Sequence, residues 1–151
     1  MSSSYLKPNE IPQAVIESGI RKAGLPFWKT LVLGFMAGLY ISLGAHGDVV
    51  VMQTLGGIDE GLKRFMGAAV FPVGLMLVVI AGGELFTGNC LLSLAWFHRR
   101  ISLGKLLRNW VLVFVSNLVG SVFLAWIVTA AGLYGVTAAP NSAGSLIISM
   151  A

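Results

Sequence analysis

Residues 81–89, Ala81-Gly82-Gly83-Glu84-Leu85-Phe86-Thr87-Gly88-Asn89, interrupt an apolar stretch that covers about residues 71–96. Lipid cannot hydrogen-bond an unwound backbone. Such an interruption is stable at membrane depth only where protein covers it or where it lines a water-filled cavity. Glu84 sits inside it, and an ionisable group facing lipid there costs roughly 2.5–3.5 kcal/mol or more. A glycine-flanked carboxylate between two short hydrophobic half-helices is the sequence form of a discontinuous helix in a transport protein.

Composition agrees with a membrane setting. Of 151 residues, 56% are hydrophobic and 11% charged, against about 25% charged in soluble domains, and the mean hydropathy is +0.85. The unit to count is therefore the membrane span, of about 20 apolar residues. The net charge of +4 comes from cations that flank the apolar segments, which makes them topology signals. No interleaved basic and aromatic pattern offers a base-stacking surface, so no nucleic-acid partner is expected. Cys90 is the single cysteine; it excludes an intrachain disulfide and a multi-thiolate metal site, and is expected buried and inert. Residues 1–26 contain Lys7, Glu10, Glu17, Arg21 and Lys22 and lack the apolar core of a signal peptide.

Residues 1–8 read as a mobile tail. An amphipathic helix is expected over about residues 9–23, capped by Asn9, with Pro12 in its first turn and Ile11, Val15, Ile16 and Ile20 at helical spacing. Arg21 and Lys22 close it where the helix dipole favours cations. It could lie on the membrane surface, dock on a neighbouring subunit, or be a surface helix without a specific role. Span one starts near Phe27 beside the interfacial pair Trp28-Lys29 and ends between Gly44 and Leu55. Its small residues Gly34, Ala37, Gly38, Ser42 and Gly44 suit close helix packing. After a polar loop at residues 56–61, span two comes in two pieces, about 65–81 and 86–97, and span three covers about 106–134. The remaining tail is uncharged and rich in small residues. Eight cations, Lys7, Arg21, Lys22, Lys29, Arg99, Arg100, Lys105 and Arg108, fall on one side and two, Lys63 and Arg64, on the other. The positive-inside rule then gives three spans with the N-terminus cytoplasmic. The expected organisation is a cytoplasmic tail and amphipathic helix over residues 1–26 and a three-span membrane unit over residues 27–151.

The interruption at Gly82, Gly83, Glu84 and Gly88 frees backbone N–H groups near residues 85–88, whose positive partial charge suits a small anion. The bland counterpart is a glycine kink. Glu84 could titrate and move protons, or accept backbone N–H bonds at the start of the second half-helix; the second role is favoured by its position. Thr87 and Asn89 could satisfy backbone groups or touch the permeant species. Phe71 and Leu75, one turn apart, could form apolar constrictions with Leu85 and Phe86, although such stripes are more often core packing. Asn109 and Asn117, two turns apart on span three, point to interhelical hydrogen bonds. His46 and His98 lack metal-ligand spacing. With no nucleophile–base pair, no enzyme activity, cofactor or metal is expected.

Phe71-Pro-Val-Gly-Leu75, Gly83-Glu84-Leu85-Phe86-Thr87-Gly88-Asn89 and Asn117-Leu118-Val119-Gly120-Ser121 resemble the formate/nitrite transporter family. Gly34-Phe-Met-Ala-Gly-Leu-Tyr-Ile-Ser42 resembles its first helix. The resemblance runs from about residue 10 to the end. It implies an all-α, aquaporin-like channel fold of two inverted three-helix halves, each with a broken helix, assembled as a pentamer with one pore per protomer for formate, nitrite or hydrosulfide. By that analogy Phe71, Leu75, Leu85 and Phe86 match positions near the hydrophobic constrictions, and Thr87 a threonine facing the pore centre. The family has six spans, of which this sequence supplies the first three. Nothing here matches the central pore histidine of the second broken helix or the periplasmic lysine after span three. Ala151 reads as a stop just before a fourth span.

The expectation is therefore the N-terminal half of a membrane channel for small monovalent anions, inactive alone. The alternatives are a three-span protein that oligomerises into a pore, and a non-transporting accessory subunit in which the interruption serves packing.

Overall fold

Pro12 in the first turn and the cations Arg21 and Lys22 in the last bracket helix α1 (Ile11–Ala23), as the sequence predicts, but Asn9 does not cap it. Glu10 holds the N-cap position, and its carboxylate accepts the Lys7 backbone N–H at 2.8 Å instead of a helix amide. In this computed structural model, residues 5–53, 55, 57, 59–134 and 142–150 are described, and all regular elements among them are helical. Residues 1–4, Gly56 and Ile58 of the expected polar loop, and residues 135–141 of the expected tail lie outside the described residues.

α1 docks within the chain. Ile16 and Ala23 pack with Leu92, Ala95, Ile101 and Leu106, and Ile20, Trp96 and Trp110 flank the cluster. Of the apolar positions at helical spacing, Ile16 and Ile20 meet the chain's own later helices, while Ile11 stays exposed. Burying this face stabilises the arrangement by about 25 cal/mol per Å² of apolar surface.

α2 (Phe27–Met52) is the first span and α7 (Leu103–Ala130) the third; α3 (Glu60–Val70) and α4 (Pro72–Ala81) together make the first part of the second. At 26, 22 and 28 residues, all three are long and apolar enough to cross a membrane. α2 continues through His46 and Asp48 to Met52, with Val49 and Met52 buried. Its glycines let α7 approach closely. A Cβ on Gly38 would collide with the Asn117 carbonyl, and one on Gly120 with the Phe35 carbonyl. Packing of small residues replaces the hydrophobic drive that lipid cannot supply.

Span two begins earlier than expected, at Glu60, because the Asp59 side chain caps it by accepting the Leu62 N–H at 2.7 Å. Its second half is also subdivided, into α5 (Phe86–Asn89) and α6 (Leu92–Phe97). α8 (Ser142–Met150) packs against α2.

Candidate functional site

The chain leaves the helix at Gly82, which takes the left-handed conformation at φ 79°, ψ 30°. No atom lies within 4 Å of the place a Cβ would occupy there. The backbone dihedral alone calls for glycine. The N–H groups of Gly82 and Gly83 both donate to the Val78 carbonyl, at 3.0 and 2.9 Å. Beyond them the partners come from other spans. The Glu84 N–H donates to Leu33 of α2 at 3.1 Å. Asn117 of α7 donates through Nδ2 to the carbonyls of Gly34 (2.8 Å) and Glu84 (2.9 Å), and its Oδ1 accepts the Phe86 N–H at 2.9 Å. Groups on α2 and α7 thus satisfy part of the unwound backbone, as a membrane interior requires. Among the described residues the N–H groups of Leu85, Thr87 and Gly88 find no hydrogen-bond partner.

Asn117 therefore does what the sequence suggests for Glu84. Glu84 is 5% exposed, and its carboxylate does not cap the following helix. It accepts from Lys22 Nζ at 3.2 Å and from Asn89 Nδ2 at 2.7 Å. A buried carboxylate without a cation is strongly destabilising, and α1 carries the cation to it. Lys22 Nζ also donates to Asn89 Oδ1 at 2.8 Å. Asn89 Nδ2 donates to Asn109 Oδ1 at 2.9 Å, and Asn109 Nδ2 to the Lys22 carbonyl at 3.3 Å. Trp110 Nε1 donates to the Asn89 carbonyl at 2.9 Å. The cluster ties α1, the interruption and α7 together. Asn89, with no exposed surface, belongs to this cluster and not to an open face. Sequence reasoning missed Lys22; the available signal was that a buried Glu84 needs a cation, without any indication of which one.

Beside the cluster lies an open groove of about 1030 Å³. Leu75, Val78, Gly83, Leu85, Thr87 and Gly88 line it, together with the cations Arg21, Lys22 and Lys29. Arg21 and Lys29 are exposed and make no ion pair among the described residues. Lys22 is matched by Glu84, so the groove carries excess positive charge. Of the four apolar candidates, Leu75 and Leu85 meet here. Phe71 stands at the α3–α4 junction, 43% exposed. The Phe86 ring packs edge-on against Phe114 and Trp110 of α7, with centroids 5.4 and 6.2 Å away. Thr87 is exposed. Cys90 is exposed too, contrary to the expectation of a buried thiol, because the turn after α5 directs it outward. His46 is paired: its Nδ1 lies 2.8 Å from the Tyr134 hydroxyl.

Comparison with known proteins bears on this arrangement. The family model described as formate/nitrite transporter matches residues 9–151. The chain is 46% identical over 124 residues to the uncharacterized transporter YrhG of Bacillus subtilis (strain 168), covering 82% of this chain and 47% of that protein. It is 43% identical over 152 residues to a probable formate transporter of Methanothermobacter thermautotrophicus, covering 98% and 55%. With the formate channel FocA of Escherichia coli (strain K12) it shares 33% over 137 residues, covering 86% and 48%. A solved FNT family ion channel superposes at a TM-score of 0.71 and 32% identity, over 82% of this chain and 50% of that one. The chain spans about half the length of these relatives. With three apolar spans, a glycine-broken second span and a family match over nearly its whole length, this chain is a membrane protein that belongs to the formate/nitrite transporter family, a family of transporters and not of enzymes.

Proposed function

We propose that these residues supply one half of a pore-forming protomer for small monovalent anions of the formate, nitrite or hydrosulfide class. The observation that carries the reading is the groove at the broken helix, where unpaired cations adjoin Leu75 and Leu85 and the hydroxyl of Thr87. Arg21 and Lys29 draw an anion toward the groove. Thr87 and the unpaired N–H groups beside it offer hydrogen bonds in place of lost water, and the leucines form a dry section. Such a section passes a small species best when its charge is neutralised or briefly offset. Phe71 and Phe86 fit as further apolar elements of the path; Gly82, Gly83, Glu84 and Gly88 support its wall, and Asn89 anchors it.

In this reading residues 1–26 are a cytoplasmic tail and helix, residues 27–151 are half of the membrane unit, and the assembly is a pentamer in the cell membrane. The eight-to-two distribution of cations supports a cytoplasmic N-terminus. A groove open along one side does not force an ion to shed its water, so a facing wall is required.

Liposomes containing only residues 1–151 are expected to show formate uptake no faster than empty liposomes; robust uptake overturns the half-protomer reading. In a complete homologous channel, the change equivalent to Thr87→Val is expected to lower formate flux about tenfold, the scale of one lost hydrogen bond. Unchanged transport and assembly after that change and the equivalent of Glu84→Gln would instead assign the broken helix to packing.

A further inference from the structure

The turn from α6 to α7 holds a feature that the transport path does not use. α6 stops with the Arg99 N–H on the Trp96 carbonyl at 2.8 Å and the Arg100 N–H on the Ala95 carbonyl at 2.9 Å. This crossed pair puts Arg99 in the left-handed region at φ 56°, the one non-glycine there among the described residues. Glycine is the usual residue at that position, because a Cβ there costs roughly 1–2 kcal/mol. The turn itself therefore does not explain an arginine. Nor does topology, since positive-inside bias counts cations throughout a short loop and is indifferent to which position bears them. A strained residue of this kind points toward a role for its side chain.

Arg99 lines a surface notch of about 370 Å³ with Arg100, Lys105, Trp96, Ile101 and Ser102. None of the three cations has a carboxylate within ion-pairing distance among the described residues. The helix ends that flank the notch in sequence carry exposed apolar side chains: Phe97 is 71% exposed, and Leu103 and Leu107 at the start of α7 are each 48% exposed. Three unmatched cations thus stand where the apolar outer surface ends, beside a tryptophan, the residue type that collects at headgroup depth.

We propose that this notch binds a phosphate group, presented either by an anionic phospholipid of the adjoining leaflet or by a soluble phosphate. The guanidinium forks of Arg99 and Arg100 can each grip two phosphate oxygens, and Lys105 adds a point charge from the first turn of α7. The exposed apolar residues on the adjoining helix ends offer surface to acyl chains, which favours the lipid.

The test reconstitutes the chain in nanodiscs of phosphatidylcholine and phosphatidylglycerol and counts the lipids it retains by native mass spectrometry. Wild type is expected to retain phosphatidylglycerol preferentially. Arg99→Gly, Arg100→Gln and Lys105→Gln are each expected to reduce the preference about fivefold, the scale of one interfacial cation, while Lys63→Gln and Arg64→Gln leave it intact. Arg99→Gly separates binding from folding, because glycine suits the left-handed position: its melting temperature in pure phosphatidylcholine should hold or rise as the preference falls. A second arm adds inorganic phosphate. Stabilisation of wild type by phosphate, lost in Arg99→Gly and without any lipid preference, assigns the notch to a soluble ligand. Equal lipid retention by wild type and all three notch variants, with no effect of phosphate, overturns the proposal.

Discussion

Two interruptions of the second span, at Phe71 and at Gly82, behave differently. At Phe71–Pro72, proline removes one N–H from the helical ladder, yet Phe71 keeps helical dihedrals of φ −49° and ψ −42°. Its N–H still reaches Gly67 at 3.0 Å, and its carbonyl accepts from Gly74 at 3.1 Å. The chain continues into α4 against α2. At Gly82 the backbone turns left-handed, leaves the helix, and takes its hydrogen bonds from Leu33 and Asn117 of the flanking spans. Proline fixes φ near its helical value and removes a donor, whereas glycine lets the chain go elsewhere. Only the second interruption presents a carboxylate, a threonine and unpaired amides together. What distinguishes a site from a kink here is whether other helices can satisfy the backbone it releases.

That contrast can be broken in three ways. Asn117→Leu should have the largest effect, because three hydrogen bonds go at once and leave polar backbone unpaired. At about 1 kcal/mol each, the loss is about 3 kcal/mol, read as a fall in unfolding midpoint in detergent micelles. A loss of less than about 1 kcal/mol would show that α7 does not hold the interruption. Gly82→Ala comes next, at about 1 kcal/mol from the left-handed dihedral alone, since the added methyl meets nothing. Gly82→Asn should recover part of it, and an alanine as stable as wild type would remove the dihedral argument. Pro72→Ala should be smallest, within about 0.5 kcal/mol, because the restored N–H offsets the lost rigidity of the unfolded chain. If it proved as costly as Gly82→Ala, the two interruptions would be alike after all.

Much of the frame was legible beforehand. Three spans follow from apolar length, and the small residues of α2 mark where it packs closely, Gly34 and Gly38 on α7 and Gly44 on Phe71 and Gly74 of the second span. The broken second span follows from Gly82-Gly83-Glu84 within an apolar run. Asn109 and Asn117 were expected to bond between helices and do so. Less legible was which polar group each would meet. Glu84 was expected to accept backbone amides, but the amide goes to Asn117 and the carboxylate to Lys22, 62 residues away in sequence. For α1 the sequence admits a membrane surface, a neighbouring subunit or a surface helix without a specific role, and does not indicate the contact it makes with α6. Phe71, Leu75, Leu85 and Phe86 look equivalent in sequence, and only two of them meet at the groove.

The sequence by itself determined where the chain crosses a membrane and where the second crossing must unwind. Burial length, glycine freedom and the cost of a charge in lipid are local properties, written residue by residue. Only the tertiary structure decided who pays the hydrogen-bonding and charge debts of the unwound segment. Those partners lie on α1, α2 and α7, and a long-range contact depends on how helices approach in space, which no local pattern encodes.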